Sequence, residues 1–213
     1  MPDSRPIARP AALLAALGER LIKLGVKVGQ VSSWLVIGVM VTVLGTVTMN
    51  ALEVNQLFSW DTSIPIFGQA FTINSMTELQ WHLFGILTLL GGTYAMHSDT
   101  HVRVDLVYLR LSPRGRHAID LMGHLLLLMP FCFLIAWLSI PLVKMSFMSG
   151  EQSNYGGLTD RYLIKAALPI GLSFLGLAAF GQACYHLAGL IDPRVHIDET
   201  TSIDSTEENA HVG

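Results

Sequence analysis

The chain has 213 residues, of which 51% are hydrophobic and only 14% are charged. Such a composition is too apolar for a soluble domain of this length and predicts an integral membrane protein. The formal net charge of −3 and the lack of a dense basic surface exclude a nucleic-acid-binding protein, so no nucleic acid is expected as a partner.

An amphipathic helix is predicted in the N-terminal segment, residues 1–30. Over residues 13–28, apolar and charged side chains recur at helical spacing on opposite faces. The apolar face carries Leu14, Leu17, Leu21, Leu24 and Val28, and the charged face carries Glu19, Arg20, Lys23 and Lys27. We expect this helix to lie flat on the cytoplasmic membrane surface, where Lys23 and Lys27 bind phospholipid headgroups.

Four segments are long and apolar enough to cross a hydrocarbon core of about 30 Å. They are residues 31–52, 79–96, 118–143 and 163–191. The predicted fold is therefore an all-α integral membrane domain of four transmembrane helices over residues 31–191. Pro130, Pro141 and Pro169 lie inside apolar runs, where we expect kinks and not breaks.

Two of the spans begin with recognisable cap patterns. Ser75 and Glu78 have capping-box spacing ahead of the second span, so that each side chain would bind a free backbone amide. Ser112 precedes Pro113 ahead of the third span, which is a cap residue followed by proline at the first helical position. These patterns predict where both helices begin.

Loop charge predicts the orientation. Five basic residues precede the first span, whereas residues 53–77 contain no Lys or Arg. The second loop has Arg103, Arg110, Arg114 and Arg116, against Lys144, Arg161 and Lys165 in the third. By the positive-inside rule we expect both termini of this multi-pass protein to be cytoplasmic.

The remaining segments have weaker signals. Residues 64–71 predict a small hairpin on the outer surface, and residues 104–111 predict a short lipid-facing helix with Arg103 and Arg110 available for phosphates. Lys165 is expected to anchor the outer end of the last span. Residues 192–213 are polar and acidic and predict a disordered cytoplasmic tail.

No enzymatic, metal or cofactor site is predicted. The first span has no charged residue between Lys27 and Glu53, and Asp120 and Lys165 lie near helix ends. A phosphate loop of the GxxxxGK[ST] type is absent from the sequence, which excludes ATP hydrolysis by this motif. The two cysteines, Cys132 and Cys184, fall inside apolar segments, where we expect packed free thiols and no disulfide.

Two other functions are considered for this composition. His97, His124 and His186 lie at similar cytoplasmic-side depths on three helices and could ligate haem in a membrane electron carrier. A small self-sufficient carrier is the second alternative, although a four-helix exporter of that kind would need a buried carboxylate in its first span.

Small and weakly polar residues form one stripe on each of the first two spans. The first stripe is Gly38, Thr42, Thr46 and Asn50, and the second is Trp81, Gly85, Thr88, Gly92 and Ala95. Such stripes allow close approach of another helix. Spacing alone leaves open whether that helix belongs to this chain or to another.

From Glu78 to about Gly189 the sequence resembles the small membrane subunit of tripartite ATP-independent periplasmic (TRAP) transporters. Three stretches carry the resemblance. They are Glu78-Leu79 with Trp81 and Phe84; Gly91-Gly92-Thr93-Tyr94-Ala95 through His101-Val102-Arg103-Val104-Asp105 to Leu111-Ser112-Pro113; and Gly156-Gly157-Leu158 through Tyr162-Leu163-Ile164-Lys165-Ala166 to Pro169-Ile170-Gly171.

The resemblance implies a scaffold subunit with cytoplasmic termini and no cofactor of its own. It implies a large multi-span partner that binds sodium and solute, and a periplasmic solute-binding protein that delivers an organic acid anion. Glu78, Trp81, Gly85, Thr88 and Gly92, with Gly38, Thr42 and Thr46, are the candidate partner-interface residues. One departure is that many members have an arginine just after the first span, whereas residues 49–60 here contain none.

Overall fold

The computed structural model describes residues 9–97 and 112–192. Within these ranges the helices are α1 (Arg9–Ser33), α2 (Leu35–Ala51), α3 (Ile73–His97), α4 (Pro113–Met122), a π-helical segment (Gly123–Leu128), α5 (Met129–Ser149) and α6 (Tyr162–Ile191). Two strands, β1 (Gln56–Ile64) and β2 (Gly68–Thr72), lie between α2 and α3. The predicted helix over residues 104–111, with Arg103 and Arg110, lies outside the described residues, as does nearly all of the predicted tail.

Three helical stretches are long and apolar enough to cross a membrane: Arg9–Ala51, Arg114–Ser149 and Tyr162–Ile191. They contain the first, third and fourth predicted spans. The second predicted span lies within α3, which has 25 residues. This helix is less apolar because it contains Gln80, His82 and three glycines, so its membrane crossing stays a prediction.

The hairpin β1–β2 makes the all-α description wrong at one place. The strands are antiparallel, with Phe58 paired to Phe71 and Ser59 paired to Ala70. The turn is tight because Ile66 and Gly68 both have left-handed backbone conformations, with φ of 74° and 65°. The prediction of a hairpin over residues 64–71 is thus correct in kind, but the first strand begins as early as Gln56.

The N-terminus of α3 differs from the predicted capping box. The Thr72 hydroxyl accepts a hydrogen bond from the Ser75 amide at 3.2 Å, and the Ser75 hydroxyl accepts one from the Thr72 amide at 3.3 Å. This reciprocal pair is a capping box displaced by three residues along the chain. The Ser75–Glu78 assignment was therefore wrong, and the Glu78 carboxylate is available for other donors.

The predicted start of α4 is confirmed, and the helices continue through their prolines. The Ser112 hydroxyl accepts a hydrogen bond from the Gly115 amide at 3.2 Å, and Pro113 occupies the first helical turn. Pro141 and Pro169 lie inside continuous helices. Pro130 is the second residue after the π-helical segment, where the hydrogen-bond register changes ahead of a residue that has no N–H to donate.

The chain divides into two compact units. The first contains the described residues of Met1–Leu24, His101–Pro130 and Gly176–Gly213. Here α1 and α6 approach backbone to backbone, because a Cβ atom built on Gly18 would lie 2.6 Å from the Gly181 carbonyl oxygen. The buried positions of α1 in this unit are Ala11, Gly18 and Ile22, whereas Leu17 and Leu24 of the predicted apolar stripe are 45% exposed.

The second unit contains the described residues of Gly25–Thr100 and Phe131–Leu175. The remainder of α1 packs on α3 through another glycine, since a Cβ atom on Gly29 would lie 2.5 Å from that of Tyr94. The Thr93 hydroxyl, on a residue that is 1% exposed, donates to the Gly25 carbonyl oxygen at 2.8 Å. Cys132 in this unit and Cys184 in the first are buried and free, as predicted.

Candidate partner interface

The first two residues of the stripe predicted on the first span, Gly38 and Thr42, face this chain's own α3. A Cβ atom on Gly38 would lie 3.2 Å from the Leu83 side chain, and Thr42 is only 5% exposed. Thr42 donates its hydroxyl proton back to the Gly38 and Val39 carbonyl oxygens. Gly38 and Thr42 therefore belong to packing within the chain, while Thr46 is half-buried.

The stripe predicted on α3 is uncovered over its first half. Trp81 is 66% exposed, Phe84 is 51% exposed, and a Cβ atom on Gly85 would meet no atom within 4 Å. Thr88 continues this exposed face, with its hydroxyl donated to the Phe84 carbonyl oxygen at 2.9 Å. A Cβ atom built on Gly92 would lie 4.0 Å from a Leu175 methyl carbon. The open surface around Gly85, named here the α3 face, consists of Trp81, Phe84, Gly85 and Thr88.

Glu78 ties α3 to the segment between α5 and α6. Its carboxylate accepts hydrogen bonds from the Ser153 hydroxyl at 2.5 Å and from the Leu158 amide at 2.9 Å. Gly157 lies so close that a Cβ atom built on it would be 2.6 Å from a Glu78 oxygen, so a larger residue there would displace the Glu78 carboxylate. The structure thus brings together residues of two stretches that are 75 or more residues apart in sequence.

A second polar cluster closes the same segment at the start of α6. Glu151 accepts hydrogen bonds from the Lys165 ammonium and, at 2.8 Å, from the Ser146 hydroxyl, and Arg161 lies 3.9 Å away. The Lys165 hydrogen bond, followed by that of Ser146, holds the pKa of the Glu151 carboxyl below its ordinary value. Lys165, predicted as a headgroup anchor, is therefore also an ion-pair partner within the chain.

A family model of the "Tripartite ATP-independent periplasmic transporters, DctQ component" matches residues 64–189, more than half of the chain. The chain belongs to this family. No curated protein and no solved structure matches the chain. This DctQ component is a transporter component and not an enzyme, and its apolar helices agree with a membrane subunit. The stretch matched contains Glu78, the α3 face and the segment that binds the Glu78 carboxylate.

Family membership supports a transporter subunit in preference to the two alternative functions, the haem-binding electron carrier and the self-sufficient carrier. The histidines nevertheless form a cluster in the first unit. His117 and His186 have their Nδ1 atoms 3.1 Å apart, and the rings of His124 and His186 stack with centroids 5.8 Å apart. Among residues 9–97 and 112–192, three or more His, Cys, Asp or Glu side chains nowhere form a group suited to a metal ion. His97 is the last residue of α3, and its side chain lies outside the described part of the chain.

The predicted anchoring residues of the N-terminal helix lie on its exposed side. Lys23 forms an ion pair of 2.5 Å with Glu19, four residues earlier, and Lys27 is exposed. This i, i+4 pair on an exposed helix surface contributes little to stability. Their binding to phospholipid stays a prediction.

Sequence reasoning missed the glycine contacts of α1 and the role of Glu78. Ala11, Gly18, Gly25, Gly29 and Ser32 recur at steps of seven and of four and three, which is the same small-residue signal that was recognised on α2. The charged residues between them indicate an amphipathic surface helix, and this reading does not use the small residues. His117 was missed since it lies seven residues before His124, outside the set of similar depths.

Replacing Glu78 by glutamine should destabilise this DctQ component by about 1–2 kcal/mol, because hydrogen bonds to a charged group contribute more than neutral ones. The glutamine side chain has only one acceptor oxygen, so its NH₂ group would face either the Ser153 hydroxyl or the Leu158 amide, which both donate to Glu78. Thermal unfolding of the purified subunit in detergent measures the effect. Glu53→Gln is the matched control, since Glu53 is an exposed carboxylate at the same end of the second unit. Equal stability of the two variants would contradict a structural role for Glu78.

Proposed function

We propose that this DctQ component is the scaffold subunit of a sodium-coupled TRAP importer of an organic acid anion. The large multi-span permease subunit would hold the sodium and solute sites, and a periplasmic solute-binding protein would deliver the anion. Membership of the family supports both partnerships. The sequence supports the scaffold role, because its predicted spans have charged residues only near their ends.

The observation that carries the proposal is the uncovered α3 face. On a lipid-exposed helix, a glycine beside two exposed aromatic side chains leaves a shallow notch that another helix backbone can enter. The opposite side of α3 is filled by this chain's own residues, with Leu83 against Gly38 and Tyr94 against Gly29. A helix that is packed on one side and notched on the other fits a place between its own chain and the large subunit.

The membrane arrangement belongs to the same proposal. The subunit would cross the inner membrane four times with both termini in the cytoplasm. The 25 residues of α3 extend about 37 Å, which is more than the hydrocarbon thickness of about 30 Å. Lys23, Lys27, Arg103, Arg110 and Lys165 would bind phospholipid headgroups at the membrane surfaces, in agreement with the loop charges.

Reconstitution tests the proposal. An affinity tag on this chain should recover the large permease subunit from co-expressing membranes. Proteoliposomes containing both subunits should accumulate an organic acid from a panel of labelled dicarboxylates and keto acids only when the binding protein and an inward sodium gradient are supplied. The purified chain alone should show no uptake above empty vesicles. Robust sodium-driven uptake by the isolated chain would overturn the scaffold role.

A further inference from the structure

The hairpin β1–β2 is fixed at both of its ends to the helix ends of the second unit. At its tip, Ile66 accepts a hydrogen bond from the Thr159 amide at 2.8 Å and donates its own amide to the Asp160 carboxylate at 3.1 Å. At its base, the Ile73 amide donates to the Asn55 carbonyl oxygen at 3.0 Å. Since Asp160 lies two residues before α6 and the base joins α2 to α3, the hairpin lies across the helix ends and does not project freely from them.

The two faces of the hairpin differ in what they contact. Gly68 and Thr72 belong to the face directed at the segment before α6: a Cβ atom on Gly68 would lie 3.0 Å from Thr159, and the Thr72 hydroxyl donates to the Gly156 carbonyl oxygen at 3.1 Å. Phe71 has the opposite direction, because side chains alternate along a strand. Phe58, its cross-strand partner, shares that face and is 63% exposed. We name the surface of Phe58 and Phe71 the hairpin's aromatic face.

Charge on the hairpin and its flanking residues has one sign, while Arg161, in the segment before α6, lies 3.9 Å from Glu151. Residues 53–77 contain no Lys or Arg, and Glu53 and Asp61 are exposed. The neighbouring acids Glu78, Glu151 and Asp160 are bound within the chain, as described above. An exposed aromatic surface with acidic neighbours complements a protein patch in which basic residues surround an apolar pocket. It does not suit an anionic membrane surface, which attracts Lys and Arg.

We infer that the hairpin's aromatic face is the docking surface for the periplasmic solute-binding protein, an inference that depends on the proposed function and on a periplasmic position of the hairpin. The surface is preformed, because hydrogen bonds fix the hairpin before any partner arrives. Docking onto it therefore needs little ordering of the chain. Phe58 is the central contact, as exposed aromatic side chains are in protein interfaces.

The test is a titration of the complete small–large subunit complex in nanodiscs against the fluorescently labelled binding protein of the same transport system, followed by anisotropy. Phe58→Asp should raise the apparent Kd at least tenfold, and Phe58→Ala, which adds no charge, should raise it in the same direction. Ser59→Asp is the matched control, since Ser59 is exposed on the other face of the same strand and should change the Kd less than twofold. Higher ionic strength should weaken wild-type binding.

Three results would overturn the inference. The first is an unchanged Kd in both Phe58 variants. The second is loss of the large subunit from the Phe58 variants during purification, which would assign the aromatic face to that subunit. The third is quenching of a fluorophore attached at position 58 by brominated lipid, which would place the face in the bilayer. Absence of any binding by the wild-type complex would instead count against the proposed function.

Discussion

Leucine in place of Gly85 is expected to release this DctQ component from the large permease subunit while its own fold persists. The position is open within the chain, since a Cβ atom there would meet no atom within 4 Å, so a leucine side chain can fill the notch beside Trp81 and Phe84. Overpacking at a helix contact costs about 1–3 kcal/mol, which corresponds to an association weaker by about five- to 150-fold. Co-purification of the large subunit from detergent at several protein concentrations measures the loss.

Gly123→Leu is the control for this substitution. Gly123 is also open within 4 Å, but it lies in the π-helical segment and not on α3. The control should retain the large subunit and keep the same thermal stability. The proposed interface would be wrong if both variants retained the partner equally, or if Gly85→Leu unfolded the isolated subunit, since the α3 face would then be internal core.

Alanine in place of Gly18 is expected to destabilise the first unit, although the substitution adds only one methyl group. A Cβ atom at this position would lie 2.6 Å from the Gly181 carbonyl oxygen and 3.1 Å from the Tyr185 amide nitrogen, so α1 and α6 would have to separate. We expect a loss of about 1–3 kcal/mol from this steric conflict, against a gain of up to about 1 kcal/mol in helix propensity. Thermal unfolding in detergent, with expression level as a second measurement, detects the difference.

The same exchange at an open glycine separates the two effects. Gly91→Ala adds the same methyl group inside a helix without a contact, and it should leave stability unchanged or slightly raised. Gly181→Ala should resemble Gly18→Ala, because its Cβ atom would lie 2.9 Å from that of Leu21. If Gly18→Ala were as stable as Gly91→Ala, the close crossing of α1 and α6 would be contradicted.

Local sequence signals predicted the helix ends correctly where all the interacting residues lie in one short segment. The Ser112 cap was correct because cap, proline and helix are contiguous in the chain. The Ser75–Glu78 box failed for the opposite reason: three candidate polar side chains, Thr72, Ser75 and Glu78, lie at the same spacing, and sequence alone does not tell which pair closes. A donor segment more than 70 residues away, at Ser153 and Leu158, binds the third.

The amino-acid sequence by itself determined that this chain belongs in a membrane, where most of its helices lie, and which family it resembles. These properties follow from hydropathy, helical period and short motifs, all of which act within a few turns. Only the tertiary structure decided which small residues face the chain itself, as Gly18, Gly29 and Gly38 do, and which stay open, as Gly85 does. The physical reason is that the spacing of glycines along a helix does not show what lies beside them, and the role of each glycine depends on whether another backbone approaches it.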